Sequence, residues 1–179
     1  MLDDVTRHNL EWLLSEKPRR ARAAQLLADD RSPEALEPFL QIAADPADDE
    51  DVRKAAIVGL GRLGEAKAVP VLMEIVTGPS PAPLREAAIE ALGEIGPAAK
   101  KAVDPLVTIL LDDSGVGPLP LIGRIEDRLS PLRKRAAKAL GQIGDPRALG
   151  PLTFMALKSD NQAIKEMAID SLKYLGWRK

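Results

Sequence analysis

Five times along this chain a leucine follows an alanine by four residues: Ala23 and Leu27, Ala56 and Leu60, Ala88 and Leu92, Ala136 and Leu140, Ala168 and Leu172. Successive leucines lie 33, 32, 48 and 32 residues apart, so one interval carries an extra half-period. Repeats of this length are the mark of stacked helical units, none of which can bury its apolar face alone. That single constraint removes most folds from consideration before any residue is read individually.

The repeats read as helical hairpins. Val52, Ala56, Leu60 and Leu63 fall at i, i+4, i+8 and i+11, one face of a 3.6-residue period. The face recurs at Leu84, Ala88, Leu92 and Ile95, at Leu132, Ala136, Leu140 and Ile143, and at Ile164, Ala168, Leu172 and Leu175. Each such helix is predicted to end at a glycine, Gly64, Gly96, Gly144 or Gly176, where a left-handed residue closes a C-terminus. A second helix then carries Val69, Leu72 and Val76, matched by Val103, Leu106 and Leu110 and by Leu149, Leu152 and Ala156. Pro70, Pro105 and Pro151 sit in its first turns, where a missing N–H costs least. The first unit fits more loosely, with Ala28 and Arg31 where the others have glycine. Residues 2–16 are expected to form a cap helix with Val5, Trp12 and Leu13 on one side, and Trp177 is a candidate cover for the last helix.

Composition agrees. Apolar residues are 45% of the chain and aromatics only 3%, so the interior must be built from Ala, Leu, Ile and Val, which suits close helix packing. A net charge of −2 argues against nucleic-acid binding, which needs a basic face to release counterions. There is no cysteine, hence no disulfide, thiolate catalysis or cysteine-based zinc site. The opening MLDDVTRHNLEW lacks a signal-like apolar core, and no window approaches the ~18 apolar residues of a membrane span. A cytoplasmic location is the expectation.

The run Val52-Arg53-Lys54-Ala55-Ala56, with Leu60-Gly61, Leu63-Gly64 and Ala68-Val69-Pro70, resembles the HEAT-like repeat of phycobilin-lyase-type proteins. So does the segment from Leu140 to Leu149. The resemblance covers roughly residues 18–176 and implies an all-α, right-handed solenoid of about four and a half hairpins. The expected layout is one domain over 1–179: a cap helix at 1–17 and repeats at 18–46, 47–80, 81–129, 130–160 and 161–179. The third repeat holds an insertion near 112–129. Leu106 and Arg133 are 27 residues apart where the matching intervals, Leu72 to Arg85 and Leu152 to Lys165, are 13. The insertion opens as a Gly/Pro loop and then offers Ile122, Ile125 and Leu129 as a short amphipathic helix.

In HEAT-like proteins the exposed row of the second helices is the usual binding surface. Here it carries Glu37, Gln41, Glu74, Asp104, Thr108 and Phe154, which are taken as candidate protein contacts together with Leu121, Ile122 and Ile125 of the insertion. Arg53, Arg85, Arg133 and Lys165 recur in the first turn of a helix, where a cation opposes the helix dipole. They are therefore expected to bond carbonyls or carboxylates at the edge of the preceding unit. The acidic run Asp45, Asp48, Asp49, Glu50 and Asp51 reads as a helix cap, and the basic groups Arg19–Arg22 and Arg128–Lys138 as solvated helix faces.

The HEAT-like hydroxylases bind iron through His-Glu dipeptides, which this chain lacks, and the HEAT-like glycosylases need a basic groove. No G-x-S-x-G, P-loop or paired-carboxylate pattern is present, and His8 stands alone. The chain is accordingly expected to be a non-enzymatic scaffold for another protein, without cofactor or metal. The alternative is a bilin-lyase-like or phycobilisome-associated factor that handles a tetrapyrrole or its carrier protein.

Overall fold

A computed structural model describes residues 3–15, 19–111 and 126–176, and all regular structure among them is helical. Helix α1 (Asp4–Leu13) precedes a series of first and second helices. The first helices are α2 (Arg19–Asp29), α4 (Glu50–Leu63), α6 (Ala82–Ile95), α8 (Glu126–Ile143) and α10 (Gln162–Tyr174). The second helices are α3 (Leu36–Ala44), α5 (Val69–Thr77), α7 (Val103–Leu111) and α9 (Leu149–Lys158). A short 3-10 turn leads into each second helix: Pro33–Ala35, Ala66–Ala68, Gly96–Ala102 and Pro146–Ala148. The chain divides into two compact units, Met1–Ala91 and Leu92–Lys179.

Local chemistry sets the helix ends. Gly64, Gly96 and Gly144 take φ of 72°, 68° and 75°, the left-handed conformation expected of them. In the first repeat the same duty falls on Arg31, at φ 51°, and the Ser32 N–H closes the turn on the Leu27 carbonyl at 3.1 Å. At the other ends, the Asp49 carboxylate accepts from the Asp51 N–H at 3.0 Å to cap α4, and Asn161 Oδ1 accepts from Ala163 and Ile164 to cap α10. The acidic run is thus a cap, with Asp45 also accepting from the Ala47 N–H.

In the first unit α1 packs on α2, α2 on α4, and α3 on both α4 and α5. Ala23, Leu27, Ala56 and Leu60 are fully buried there, as the repeat requires. Phe39 is also fully buried and fills the space left by Gly59, where a Cβ would lie 2.3 Å from its ring. In the second unit α8 packs on α7 and α10, and α9 on α10. The closest approach falls five residues after the repeat alanine. A Cβ on Gly93 would sit 3.0 Å from Ala139 Cα, and one on Gly141 would sit 2.8 Å from Ser171 Cα. The alanines are buried, but it is these glycines that set the spacing of the helices they touch.

Two details depart from the sequence reading. The buried stripe of α1 is Thr6, Asn9 and Leu13, with Val5 left 65% exposed. Asp3 accepts from both the Thr6 N–H (2.8 Å) and its hydroxyl (2.7 Å), which satisfies the threonine and lets it face inward. The first helix of the fourth repeat begins at Glu126 rather than near 130, and Pro131 lies inside it. At its sixth position proline forfeits a single backbone hydrogen bond. Residues 112–125, with Leu121, Ile122 and Ile125, lie outside the described residues, as does Trp177.

Candidate functional site

The second helices present one solvent-facing row in each unit. In the first unit Gln41 on α3 and Glu74 on α5 are exposed at equivalent positions, with Ala44 and Thr77 one turn on. In the second unit the equivalents are Thr108 and Leu111 on α7, and Phe154 and Leu157 on α9. Here the row changes character. Leu111 is 39%, Phe154 56% and Leu157 70% exposed, so three large apolar side chains stand where the first unit has polar or small ones.

Glu37 and Asp104, also in the candidate row, already have partners. Lys67 Nζ donates to Glu37 Oε1 at 3.3 Å, and Arg147 Nη1 donates to both Asp104 oxygens at 3.0 and 2.9 Å. Each cation comes from the 3-10 turn of the next repeat, so these pairs tie neighbouring repeats together. Arg147 also donates through Nη2 to the Lys100 carbonyl at 2.8 Å and through Nε to Asp145 at 3.0 Å. The Arg147 hydrogen bond holds the Asp145 carboxyl below its ordinary value of 3.8. Thr108 donates its hydroxyl to the Asp104 carbonyl of its own helix. Gln41, Glu74 and Phe154 remain the row's outward-facing members.

A second series is structural. Arg53 Nη2 donates to the Ala43 carbonyl at 3.1 Å, and Arg85 Nε to the Val76 carbonyl at 3.0 Å. Both acceptors lie at the C-terminal end of the preceding second helix, the negative end of its dipole. Each cation thus sits at the unfavourable end of its own helix and the favourable end of its neighbour. Arg20 belongs to the same series, with Nε donating to the Leu13 carbonyl at the end of α1 (2.8 Å) and both Nη groups bound to Asp48. This corrects the expectation that Arg20 belongs to a solvated helix face, since its guanidinium is bound to the Leu13 carbonyl and Asp48. Its place three residues before Ala23, as Arg53 is before Ala56, was the available signal.

Three surface cavities accompany these elements. One of about 430 Å³ lies beside α3 and α5, with Arg53, Glu74 and Ile75 in its wall. Its counterpart in the second unit, about 290 Å³, is lined by Arg133, Phe154, Met155 and Lys158 at matching repeat positions. A third, about 510 Å³, lies between the first helices α2 and α4, away from the candidate row, and includes Arg22, Lys54 and Arg62.

The HEAT repeats model matches residues 7–93 and 47–116, well over half the chain. The chain belongs to the HEAT-repeat family. Residues 132–155 match the PBS lyase HEAT-like repeat. A curated relative, the phycocyanobilin lyase subunit alpha of Picosynechococcus sp., is 36% identical over 80 residues, which are 45% of this chain and 26% of that protein. Among solved structures, the complex of CpcE and CpcF of phycocyanin lyase from Nostoc sp. matches over 98% of this chain with a TM-score of 0.74 and 26% identity. The match spans 65% of that structure's chain, so this chain covers about a quarter of the curated relative and under two thirds of the structural one. The all-α HEAT-repeat class read from the sequence stands.

One expectation is overturned. The chain was read as non-enzymatic, yet both named relatives are lyase proteins. The motifs whose absence supported that reading belong to hydrolases, kinases and metal enzymes, and none of them tests for a lyase subunit. No helix among the described residues is long and apolar enough to cross a membrane.

Proposed function

We propose that this chain is a bilin-lyase-type subunit, which works with a protein partner to attach, remove or shelter a tetrapyrrole on a phycocyanin-like carrier. The observation that carries the reading is the fold match to phycocyanin lyase over nearly the whole chain, with a TM-score of 0.74 and 26% identity. The chemistry of this chain sets its share of the work. It has no cysteine and so supplies no thiolate of its own. Its contribution is to hold the carrier and the tetrapyrrole in a reactive arrangement, which repeat helices with preformed surfaces do at small ordering cost.

The exposed apolar side chains of the second unit, Phe154, Leu157 and Leu111, are the proposed protein contact, with Gln41 and Glu74 as the polar counterpart in the first. The deciding experiment mixes the purified chain with phycocyanobilin and apo-phycocyanin, with and without CpcF, and follows covalent chromophore on the carrier by denaturing gel fluorescence. The expected result is a change in the rate of attachment or release that depends on this chain. If the covalent yield is unaffected and the chain associates with neither carrier nor CpcF, the reading is wrong.

A further inference from the structure

We propose that the groove between α2 and α4 is a seat for a dianionic open-chain tetrapyrrole; the inference rests on the reading of the chain as a bilin-handling subunit. The groove exists because side chains that should fill the trough between two neighbouring first helices are small. Ala21 and Ala28 on α2 and Ala55 on α4, with Val58, leave about 510 Å³ open, inside the range of about 300–1,000 Å³ for small-molecule sites. Arg22, Gln25, Asp51, Lys54 and Arg62 make the polar part of the lining, and Ala21, Ala28, Ala55 and Val58 make the apolar part, beside which a flat conjugated body can lie. A highly hydrated ligand would gain little from it.

The rim supplies the rest of the recognition. Arg22 stands on the α2 side, and Lys54 and Arg62 on the α4 side. At 1.5 Å per residue, the eight residues from Lys54 to Arg62 put two cations roughly 12 Å apart along one helix. That arrangement addresses two separate anionic groups on one molecule, as the two propionate side chains of a bilin provide. Existing commitments are weak. Arg22 Nη1 reaches Gln25 Oε1 at only 3.4 Å. Arg62 pairs with Asp29, but both side chains are more than a third exposed, so exchanging that carboxylate for a ligand's costs little. The lone carboxylate of the lining is Asp51, at one end.

The other cavities fit the same ligand less well. The one beside α5 carries the exposed Glu74 carboxylate, which repels propionate, and its guanidinium, Arg53, is already bonded to Ala43. The one beside α9 holds about 290 Å³ and includes Asp160. Of these three cavities the groove on the first helices has the largest volume, and it sets three cations, Arg22, Lys54 and Arg62, against one carboxylate, Asp51.

The test titrates phycocyanobilin into the full chain and reads the shift in visible absorption and the induced circular dichroism. The variants are R22E/K54E, Ala55→Leu, and K101E/K134E as a charge-matched control on exposed lysines of the other unit. Wild type is expected to bind, R22E/K54E and Ala55→Leu to lose affinity at least about tenfold, and K101E/K134E to match wild type. The dimethyl ester of the bilin is expected to bind as weakly to wild type as the free acid does to R22E/K54E. Ala55→Leu fills the groove without altering charge and so separates a real seat from general attraction. Binding by wild type that survives both groove variants overturns the inference while leaving the lyase reading intact. So does loss of apo-phycocyanin association, with bilin affinity unchanged, in R22E/K54E. Failure of wild type to bind the free bilin also overturns it, and the attachment assay then decides the lyase reading separately.

Discussion

Replacing Gly141 by alanine tests how the second unit is held together. The new Cβ would lie 2.7 Å from Ser171 Cβ, 2.8 Å from Ser171 Cα and 3.0 Å from Ser171 Oγ. Ordinary carbon contacts are about 3.5–4.0 Å, so α8 and α10 must separate by roughly 1 Å. Ser171 is 1% exposed and has no room to rotate away, and its Cα moves only with the helix. Overpacking of this kind costs about 1–3 kcal/mol, against a gain of about 1 kcal/mol for alanine over glycine inside a helix. The net expectation is a loss of up to about 2 kcal/mol, or up to roughly 8 °C in melting temperature for a chain of this size. Gly150, in the first turn of α9, has nothing within 4 Å of the same construction. Gly150→Ala should therefore leave stability unchanged or raise it by up to about 1 kcal/mol. Thermal and urea unfolding followed by circular dichroism measure both. A Gly141→Ala protein more stable than the parent, showing the helix-propensity gain with nothing set against it, would refute the claim that this glycine sets the helix spacing.

Other consequences follow from the same geometry. Arg31→Gly should raise the melting temperature, by about 0.5–1 kcal/mol of stability, since Arg31 holds a left-handed φ of 51° that glycine adopts freely; an unchanged melt would show that the turn is not strained. Arg53→Met should cost about 1–3 kcal/mol in urea unfolding by leaving the buried Ala43 carbonyl without its donor, whereas a loss below the error of the melt would remove Arg53 from the structural series. For Asp145 the sign follows from a folded-state pKa below 3.8: its contribution is complete above that value and disappears as pH falls through the lower folded value. Asp145→Asn should thus be less stable than the parent at neutral pH, and the two melting temperatures should converge in acid.

The sequence revealed whatever depends on neighbours in the chain. Stripes at 3.6-residue spacing, glycines closing helices and prolines opening them are local features, so Leu60, Gly64 and Pro70 announced their roles without coordinates. The cationic series was partly visible for the same reason, because a charge in the first turn conflicts with its own helix dipole and demands an outside partner. Its acceptors were harder to name. Arg20 bonds Leu13 and Asp48, and the latter is 28 residues away. The candidate row shows the same limit. Equivalent positions could be aligned, but that Glu37 answers to Lys67 and Asp104 to Arg147 depends on residues 30 and 43 positions apart meeting across a repeat junction.

Catalytic association was misjudged because the motifs sought record chemistry held in one chain, and a lyase subunit need not carry such a motif. The periodic pattern alone established helical hairpins that must lean on one another, since apolar burial at a fixed period admits little else. Tertiary structure decided which glycines come into contact, which charges are spent on neighbours and where methyl groups leave a groove open. Those outcomes depend on distances between helices, and no order of residues along one helix contains them.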